Sequence, residues 1–296
     1  MKTAVIIFNS VKRRSSFLNN MDILIKGLNE RDYQTIVRAT LSPTDVNDYI
    51  SMLTNVDLIV GAGGDGTINE IVNSISNNNN IDPYVLFFPT GTVNDFATSL
   101  QLKNDVKYGL KLIDNNQYRR IDSARIGERT FFNYVCAFGP FTSASYSVTH
   151  TMKRELGALA YVLKGITEVA TITNSYHLKA NVDGRIIEGD YSFGMIVNSH
   201  SVAGMKSMFR ATDITDGYYT LFLMKHSAQN IAILPKLIIE GIGKEYIEDG
   251  IVCISFKQAS IDIDQDVMWS LDGERGPVGG FDVEVVPANV KIYTEL

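Results

Sequence analysis

The sequence predicts an α/β domain with a parallel sheet, followed by an antiparallel β domain. In the first third of the chain, short β-branched apolar runs alternate with segments of helical periodicity, which is typical of a parallel sheet covered by helices. After about residue 121, most segments are short apolar runs separated by turn residues. The 296 residues suffice for two separate cores. We therefore place the domains at 1–121 and 122–296, and allow for the end of the chain packing back on the first domain.

In the first domain, β-branched apolar runs predict strands, and apolar residues three and four positions apart predict helices. The helix after residue 67 has Ile68, Ile71, Val72 and Ile75 on one face, and it ends at the four asparagines 77–80. Ligands of such domains bind beyond the carboxyl ends of the strands. We expect strands at 3–8, 35–39, 56–60 and 84–88, and helices at 17–29, 43–53 and from 67 onward.

In the second domain, short apolar runs bounded by turn residues predict antiparallel strands. The residues 182–185, Val-Asp-Gly-Arg, are typical of a tight hairpin. Two helices interrupt the strands, at about 152–173 and 229–241. We expect strands at 121–126, 129–137, 177–182, 185–197, 218–224, 251–256, 259–263 and 281–286.

Composition excludes several classes of protein. The net charge of −6 argues against binding of nucleic acid through bulk electrostatics, so we expect no nucleic-acid partner. The two cysteines and four histidines follow no metal-ligand spacing, which argues against a zinc site and a disulfide framework. No apolar run approaches the ~18 residues of a membrane-spanning helix. We expect a cytoplasmic protein.

The glycine-rich turn GAGGDGT, residues 61–67, follows a predicted strand and precedes a predicted helix. A turn without a ligand is the simplest interpretation, but so many glycines cost backbone entropy. The spacing also fits a dinucleotide fold, yet the next strand ends in Pro89-Thr90, where that fold needs an acidic residue. The third interpretation is a phosphate-binding loop of a phosphoryl-transfer enzyme, with backbone N–H groups and a helix N-terminus facing a nucleotide. Asp65 fits this third interpretation if a divalent cation lies between the carboxylate and the phosphates.

A second loop, PTGTVNDF at 89–96, follows the next predicted strand and should lie at the same sheet edge. Thr92 and Asn94 can hydrogen-bond phosphate or sugar, and Asp95 brings a second carboxylate. The same residues are also a good helix N-cap. Far downstream, Asp272 and Glu274 lie in WSLDGERGP, residues 269–277. This segment is either a β-turn or the source of a carboxylate that accepts a hydroxyl proton during phosphoryl transfer.

Taken together, these motifs resemble the bacterial diacylglycerol kinase-like lipid kinases, which are relatives of sphingosine and ceramide kinases. The resemblance rests on G-G-D-G-T at 63–67, P-x-G-T-x-N-D-F at 89–96 and D-G-E at 272–274. It extends to 156–166 and 182–190, so it covers nearly the whole chain. The glycine motif alone also occurs in NAD kinases and resembles a phosphofructokinase loop. The chain departs from the family pattern at 9–14, 138–146 and 198–213.

The resemblance implies an N-terminal nucleotide-binding domain like that of NAD kinase and phosphofructokinase, a C-terminal β-sandwich, and ATP bound between them. It implies Glu274 as the proton acceptor. It also implies a structural magnesium ion at DITDGY, 213–218, held by Asp213, Asp216 and the Tyr218 carbonyl; without the resemblance, a solvated turn is as good an interpretation. The residues implied to line the nucleotide are Asn9, Ser10, Val11, Lys12, Arg13, Thr40, Gly64, Asp65, Gly66, Thr67, Ile68, Asn69, Glu70 and Thr92.

The resulting hypothesis is transfer of the ATP γ-phosphoryl group to a lipid hydroxyl, most simply that of diacylglycerol. Mg²⁺ would be organised through Asp65 and Asp95. The predicted helix at 152–173 either packs on the core or contacts a bilayer at the inner membrane face. We also expect self-association, as a homodimer through the β domain. The alternatives are a soluble nucleotide kinase of the NAD-kinase type and an ATP-binding regulatory module without catalysis.

Overall fold

The computed structural model describes residues 1–9, 17–91, 94–139, 174–200, 208–209, 211–248, 250–264 and 266–295. These residues form two compact units: Met1–Ser123 with Ala288–Leu296, and Ala124–Pro287. The chain therefore passes between the units twice, and its last residues return to the first unit. The predicted helix at 152–173 lies outside the described residues.

The first unit contains a parallel sheet of apolar strands. Its order is β2-β1-β3-β4, and the last residues of β17 are hydrogen-bonded to β4 on the far side. All six residues of β3 are buried, as expected for a central strand covered on both faces. The strands are β1 (Lys2–Asn9), β2 (Tyr33–Thr40), β3 (Leu58–Gly63), β4 (Tyr84–Pro89) and β17 (Phe281–Tyr293).

Helices connect the parallel strands. The third of them begins at Asp65, two residues earlier than expected, because Gly64 is extended and acts as its N-cap residue. Its predicted apolar face is buried: Ile68, Ile71, Val72 and Ile75. The fifth helix was not predicted from the sequence; the Asp105 side chain caps it by accepting the Tyr108 N–H at 3.1 Å. The helices are α1 (Met21–Asn29), α2 (Pro43–Ser51), α3 (Asp65–Ser76), α4 (Asp95–Ser99) and α5 (Val106–Asp114), with a 3-10 turn at Leu18–Asn20.

The second unit contains a seven-stranded antiparallel sheet of order β12-β13-β11-β10-β7-β15-β16. One helix, α6 (Ala228–Glu240), packs Leu237 against one face of this sheet, together with Phe209. The strands are β7 (Val135–Phe138), β10 (Phe193–Val197), β11 (Tyr219–Met224), β12 (Glu245–Glu248), β13 (Ile251–Phe256), β15 (Met268–Leu271) and β16 (Glu274–Val278).

A second antiparallel set of strands covers the other face of that sheet. One core cluster contains Leu178 and Ile261 from this set, and Tyr219 and Trp269 from the seven-stranded sheet, as in a β-sandwich. The pairing order is β9-β8-β14 followed by the first half of β17, and β5 pairs with β6 beside it. The remaining strands are β5 (Tyr118–Ile126), β6 (Thr130–Phe132), β8 (Tyr176–Val182), β9 (Arg185–Tyr191) and β14 (Gln258–Ile263).

The predicted fold class is confirmed: a mostly parallel α/β sheet is followed by an all-antiparallel second sheet. Two predicted strands are each divided in the structure. The run at 185–197 breaks at Ser192, because Tyr191 pairs with Tyr176 of β8 whereas Phe193 pairs with Met224 of β11. The chain therefore changes sheets at Ser192. The run at 129–137 breaks at Asn133, between β6 and β7.

Candidate active site

Most residues expected to bind the nucleotide lie at one edge of the first unit. β1 ends at Asn9, which pairs with Thr40 at the end of β2. β3 ends at Gly63, which pairs with Pro89 at the end of β4. Since parallel strands end at the same edge of a sheet, the two predicted loops leave this edge side by side. Ser10, Val11, Lys12, Arg13 and Thr92 lie outside the described residues.

The two loops are in direct backbone contact. The Thr90 and Gly91 N–H groups both donate to the Gly63 carbonyl, at 2.7 and 3.1 Å. A Cβ atom on Gly91 would lie 2.6 Å from the Cα of Gly64, so a side chain at residue 91 cannot be accommodated without movement. Glycine is therefore required at this contact, independently of any ligand.

Asn94 shapes the second loop. Its backbone is left-handed, with φ of 56°, a conformation that asparagine tolerates better than most residues. The Gly91 N–H donates to Asn94 Oδ1 at 3.0 Å, and Asn94 Nδ2 donates to the Gly91 carbonyl at 2.9 Å. The amide group of Asn94 therefore holds residues 91 and 94 close together, whatever contact it makes with a ligand.

The Asp65 side chain joins the glycine-rich turn to α4. Its two oxygens accept the backbone N–H groups of Asp95 at 3.2 Å and of Phe96 at 3.1 Å, the first N–H groups of that helix. Burial raises the pKa of the Asp65 carboxyl, and the N–H groups of Phe96 and Asp95 oppose that rise. Asp95 itself is buried, with 9% of its surface exposed. The structure therefore brings the two predicted metal-organising residues of the first unit together.

The other predicted residues of this edge differ in exposure. Ile68 is 1% exposed, so its side chain belongs to the core and only its backbone can face a nucleotide. Thr40 is buried, and its hydroxyl donates to the Phe8 carbonyl at 3.2 Å. Thr67 packs against Gly63, where an added Cβ would lie 2.2 Å from Thr67 Oγ1. The partly exposed residues are Gly64, Asp65, Gly66, Thr67, Asn69, Glu70 and Asn94.

In the second unit, the predicted D-G-E motif forms a hairpin between β15 and β16. Leu271 pairs with Glu274, and the two residues between them have φ of 50° (Asp272) and 89° (Gly273). Positive φ at both turn positions is the geometry of a type I′ hairpin, for which Asp-Gly is a favoured sequence. Glu274 is exposed at the start of β16.

Asp272 has a different environment from Glu274. It is 3% exposed, and its carboxylate accepts the N–H groups of Asn133, Tyr134 and Val135 at 2.7, 3.0 and 2.9 Å. Three consecutive N–H groups cannot point the same way in an extended strand, which explains the break in the predicted strand at 129–137. Asp272 therefore anchors the hairpin, and the exposed Glu274 is the better placed of the two carboxylates to accept a proton.

Asn198, which directly follows β10, was not among the predicted site residues. The Asn198 N–H donates to the Tyr134 carbonyl at 2.9 Å, directly after β10. The side chain of Asn198 is fully buried, and neither its oxygen nor its nitrogen has a hydrogen-bond partner among the described residues. A buried amide without partners is unfavourable and calls for an explanation. No sequence motif marks it, since the signal is its burial.

At the predicted magnesium turn, both carboxylates already have partners. Asp213 Oδ1 accepts the Thr215 N–H at 3.0 Å and its hydroxyl at 2.8 Å, and Asp216 Oδ1 accepts the Tyr218 N–H at 3.0 Å. Asp216 Oδ2 lies 2.7 Å from Lys244 Nζ. Within the described parts of the chain, no three His, Cys, Asp or Glu side chains are grouped as metal ligands.

Solved structures share this architecture. The chain aligns over 99% of its length with 97% of a diacylglycerol kinase from Bacillus anthracis, at a TM-score of 0.77 and 19% identity. It aligns with 94% of an NAD kinase from Archaeoglobus fulgidus, at a TM-score of 0.55 and 12% identity. The chain therefore shares its fold with this diacylglycerol kinase and this NAD kinase.

The sequence comparisons identify the family. Residues 3–126 match the model of the diacylglycerol kinase catalytic domain. The chain is 30% identical over 279 residues to a diacylglycerol kinase of Staphylococcus aureus, covering 93% of this chain and 87% of that protein. It is 28% identical over 280 residues to the one of Bacillus subtilis, covering 93% and 91%. The chain belongs to the diacylglycerol kinase catalytic domain family, a family of lipid kinases.

Proposed function

We propose that this protein transfers the γ-phosphoryl group of ATP to the hydroxyl group of a lipid, and that the lipid is diacylglycerol, giving phosphatidic acid. The observation that carries the proposal is the edge where Gly63, Gly64 and Gly91 meet, in a chain that belongs to a lipid kinase family. Such an edge lets backbone N–H groups approach a phosphate closely. The relatives named above are diacylglycerol kinases, which supports this choice of lipid.

In this proposal, ATP binds at the carboxyl edge of the parallel sheet. The residues from Gly64 to Thr67, which include the start of α3, face the phosphates. The site is completed by the end of β1 together with Ser10–Arg13, Thr40 and Thr92. The twelve-residue helix α3 directs its positive end toward this edge. Asn69, Glu70 and Asn94 flank the same loops.

In this proposal, Mg²⁺ would bind beside Asp65 and Asp95, with water molecules between the ion and the protein. Both oxygens of Asp65 already accept a backbone N–H, but a carboxylate oxygen has a second lone pair, and Mg²⁺ usually keeps several of its waters. When bound, the ion would neutralise charge on the phosphates. The part of this chain is to hold Asp65 next to Asp95, through the contact between the Asp65 carboxylate and the Asp95 backbone N–H.

Glu274 serves as the proton acceptor in this proposal. The hydroxyl oxygen of the lipid forms a bond to the γ-phosphorus while the bond from that phosphorus to the β–γ bridging oxygen breaks, so ADP leaves. The hydroxyl proton passes to the Glu274 carboxylate. Asp272 fixes the hairpin through its three backbone contacts and thereby positions Glu274.

A lipid acceptor implies work at a membrane surface, so we propose a cytoplasmic protein that contacts the inner face of the membrane peripherally. None of the helices that the structure describes is long and apolar enough to cross a bilayer. A homodimer through the β domain and the magnesium site at 213–218 were expected from the sequence. The homodimer is part of this proposal.

The substitution Glu274→Gln tests the proposal. We expect phosphorylation of diacylglycerol in mixed micelles to fall by about 10²–10⁴-fold, the usual contribution of general base catalysis, with ATP affinity retained. The measurements are incorporation of labelled phosphate from ATP and ATP binding by calorimetry. Glu188→Gln, at an exposed position of β9, is the control and should keep full activity.

The same assay separates the alternatives. Phosphorylation of NAD in place of lipid would select a nucleotide kinase of the NAD-kinase type, whose fold this chain shares. ATP binding without transfer to a lipid extract or to NAD would select a regulatory module. Full lipid kinase activity in Glu274→Gln would overturn the assignment of the proton acceptor.

A further inference from the structure

The turn at 213–218 is the part of the second unit where the resemblance places a structural divalent cation. The first observation that bears on this is the hydrogen bonding within the turn. Asp213 Oδ1 is used by Thr215, and Asp216 Oδ1 is used by the Tyr218 N–H. The two carboxylates therefore stabilise the turn without a metal ion, in the way that aspartates commonly do through their own backbone.

The second observation is an ammonium group at the remaining oxygen of Asp216. Lys244 Nζ lies 2.7 Å from Asp216 Oδ2, and the carboxylate side chain is only 20% exposed. The backbone of Lys244 is fixed as well, because its carbonyl accepts the Ser255 N–H of β13 at 3.1 Å. The Lys244 side chain thus contacts the turn from a backbone position that a hydrogen bond to β13 fixes.

A third observation is a second cation nearby. Lys257 Nζ lies 5.0 Å from the centre of the Tyr218 ring, and Lys244 Nζ lies 6.0 Å from it. A divalent ion between Asp213 and Asp216 would lie close to the Lys244 ammonium group, which is 2.7 Å from Asp216 Oδ2, and these like charges would repel each other. The residues present therefore do not fit a divalent cation at this turn.

We infer that the Lys244 ammonium group is the resident cation of this turn, and that the turn binds no divalent metal ion in this protein. The inference concerns the second unit alone and does not rest on the proposed kinase activity. It makes the stability of the turn independent of the magnesium concentration, while the Mg²⁺ that accompanies ATP is unaffected.

Terbium luminescence tests this inference in the full-length, nucleotide-free protein. Tb³⁺ occupies oxygen-ligand sites for hard cations, and a tyrosine beside such a site, here Tyr218, sensitises its emission. For the wild type, we expect the same Tb³⁺ emission as for the Asp216→Asn variant, because neither binds Tb³⁺ at this turn. Lys244→Met should acquire emission that depends on Asp216 and that Mg²⁺ competes away, with Tb³⁺ binding strengthened more than about tenfold because the like charge is gone.

Lys257→Met is the matched control, since its ammonium group lies over the Tyr218 ring and leaves the Lys244–Asp216 pair intact; it should behave as the wild type. Thermal unfolding with and without Mg²⁺ gives a second readout, and only Lys244→Met should gain a melting temperature that rises with Mg²⁺. Wild-type emission that Asp216→Asn abolishes would overturn the inference. A Lys244→Met variant that neither binds Tb³⁺ nor is less stable than the wild type would also overturn the inference.

Discussion

At the scale of single residues, the contacts of Asp65 explain why a loop suited to binding anions contains a carboxylate. Its oxygens accept the Asp95 and Phe96 N–H groups and so cap α4, which continues the second loop of the site. The Asp65 side chain thus fixes the two loops relative to each other. The sequence alone suggested a role toward a metal ion, and this capping role adds to it, since the positive end of a helix and a cation both attract a carboxylate.

Two substitutions at residue 65 separate the capping role from the charge. Asp65→Ala leaves two N–H groups without an acceptor, and we expect a loss of about 1 kcal/mol in the free energy of unfolding, the usual value of a helix cap. Burial raises the pKa of this carboxyl, which means that ionisation at neutral pH costs stability and that the cost decreases as the pH falls through the folded-state pKa toward the lower unfolded-state pKa.

Asp65→Asn removes that charge and keeps one acceptor, so its stability at neutral pH should remain within about 1 kcal/mol of the wild type. Its phosphoryl transfer should nevertheless be lost, since in the proposed mechanism this charge organises Mg²⁺. Urea unfolding and the lipid kinase assay, run in parallel, check both statements. An active Asp65→Asn enzyme would show that the carboxylate serves the protein backbone only.

At the scale of elements, the site depends on two loops that touch through glycine backbone. Gly91→Ala places a Cβ 2.6 Å from the Gly64 Cα and 2.5 Å from Asn94 Oδ1, so the second loop must move. We expect ATP affinity to fall at least about tenfold while the protein stays folded, because a shift of about 1 Å in a positioned site has such effects.

Calorimetric titration with ATP measures this change, and circular dichroism confirms the fold. Gly243→Ala is the control, because a Cβ there would meet nothing closer than the Glu245 carbonyl at 3.8 Å. Equal ATP affinities of Gly91→Ala and the wild type would mean that this loop contact does not shape the nucleotide site.

Elements were predictable from sequence where their cause is local. The apolar face of α3 and the alternation of strands with helices follow from spacing within a few residues, and both are found. The break at Asn133 has its cause in Asp272, 139 positions away, and the switch of sheets at Ser192 depends on which strands are partners on each side. Likewise, the capping of α4 by Asp65 and the Lys244–Asp216 pair join distant segments that no local pattern connects.

At the scale of the whole molecule, the end of β17 completes the first unit. Lys291 pairs with Tyr84 and Ile292 with Val85 in parallel register, while the first half of the same strand pairs with β14. Ile292 and Tyr293 are 0% and 3% exposed, and Tyr293 stacks on Tyr84 at 5.2 Å between ring centres. The last residues are thus core residues of the α/β unit.

Deletion of residues 288–296 should therefore unfold the first unit. Burial of Ile292 and Tyr293 is worth about 1.5–3 kcal/mol each, which is large beside the 5–15 kcal/mol typical of a domain. The yield of monodisperse protein and its thermal unfolding are the measurements. Deletion of residues 295–296 alone is the control and should change little, because Glu295 is exposed and contributes a surface ion pair with Lys103 and a hydrogen bond with Tyr108. A 288–296 deletion that still binds ATP would contradict the expectation.

This strand arrangement also sets an order of events during synthesis. Although the family model ends at residue 126, the sheet edge that β17 covers stays open while the ribosome makes the intervening β-sandwich. Until residues 288–295 emerge, the nascent chain carries an unpaired, apolar β4 edge of the kind that aggregates readily. The α/β unit, first in the chain, is consequently the last to be finished, and fragments cut at the family boundary are poor material for studying it.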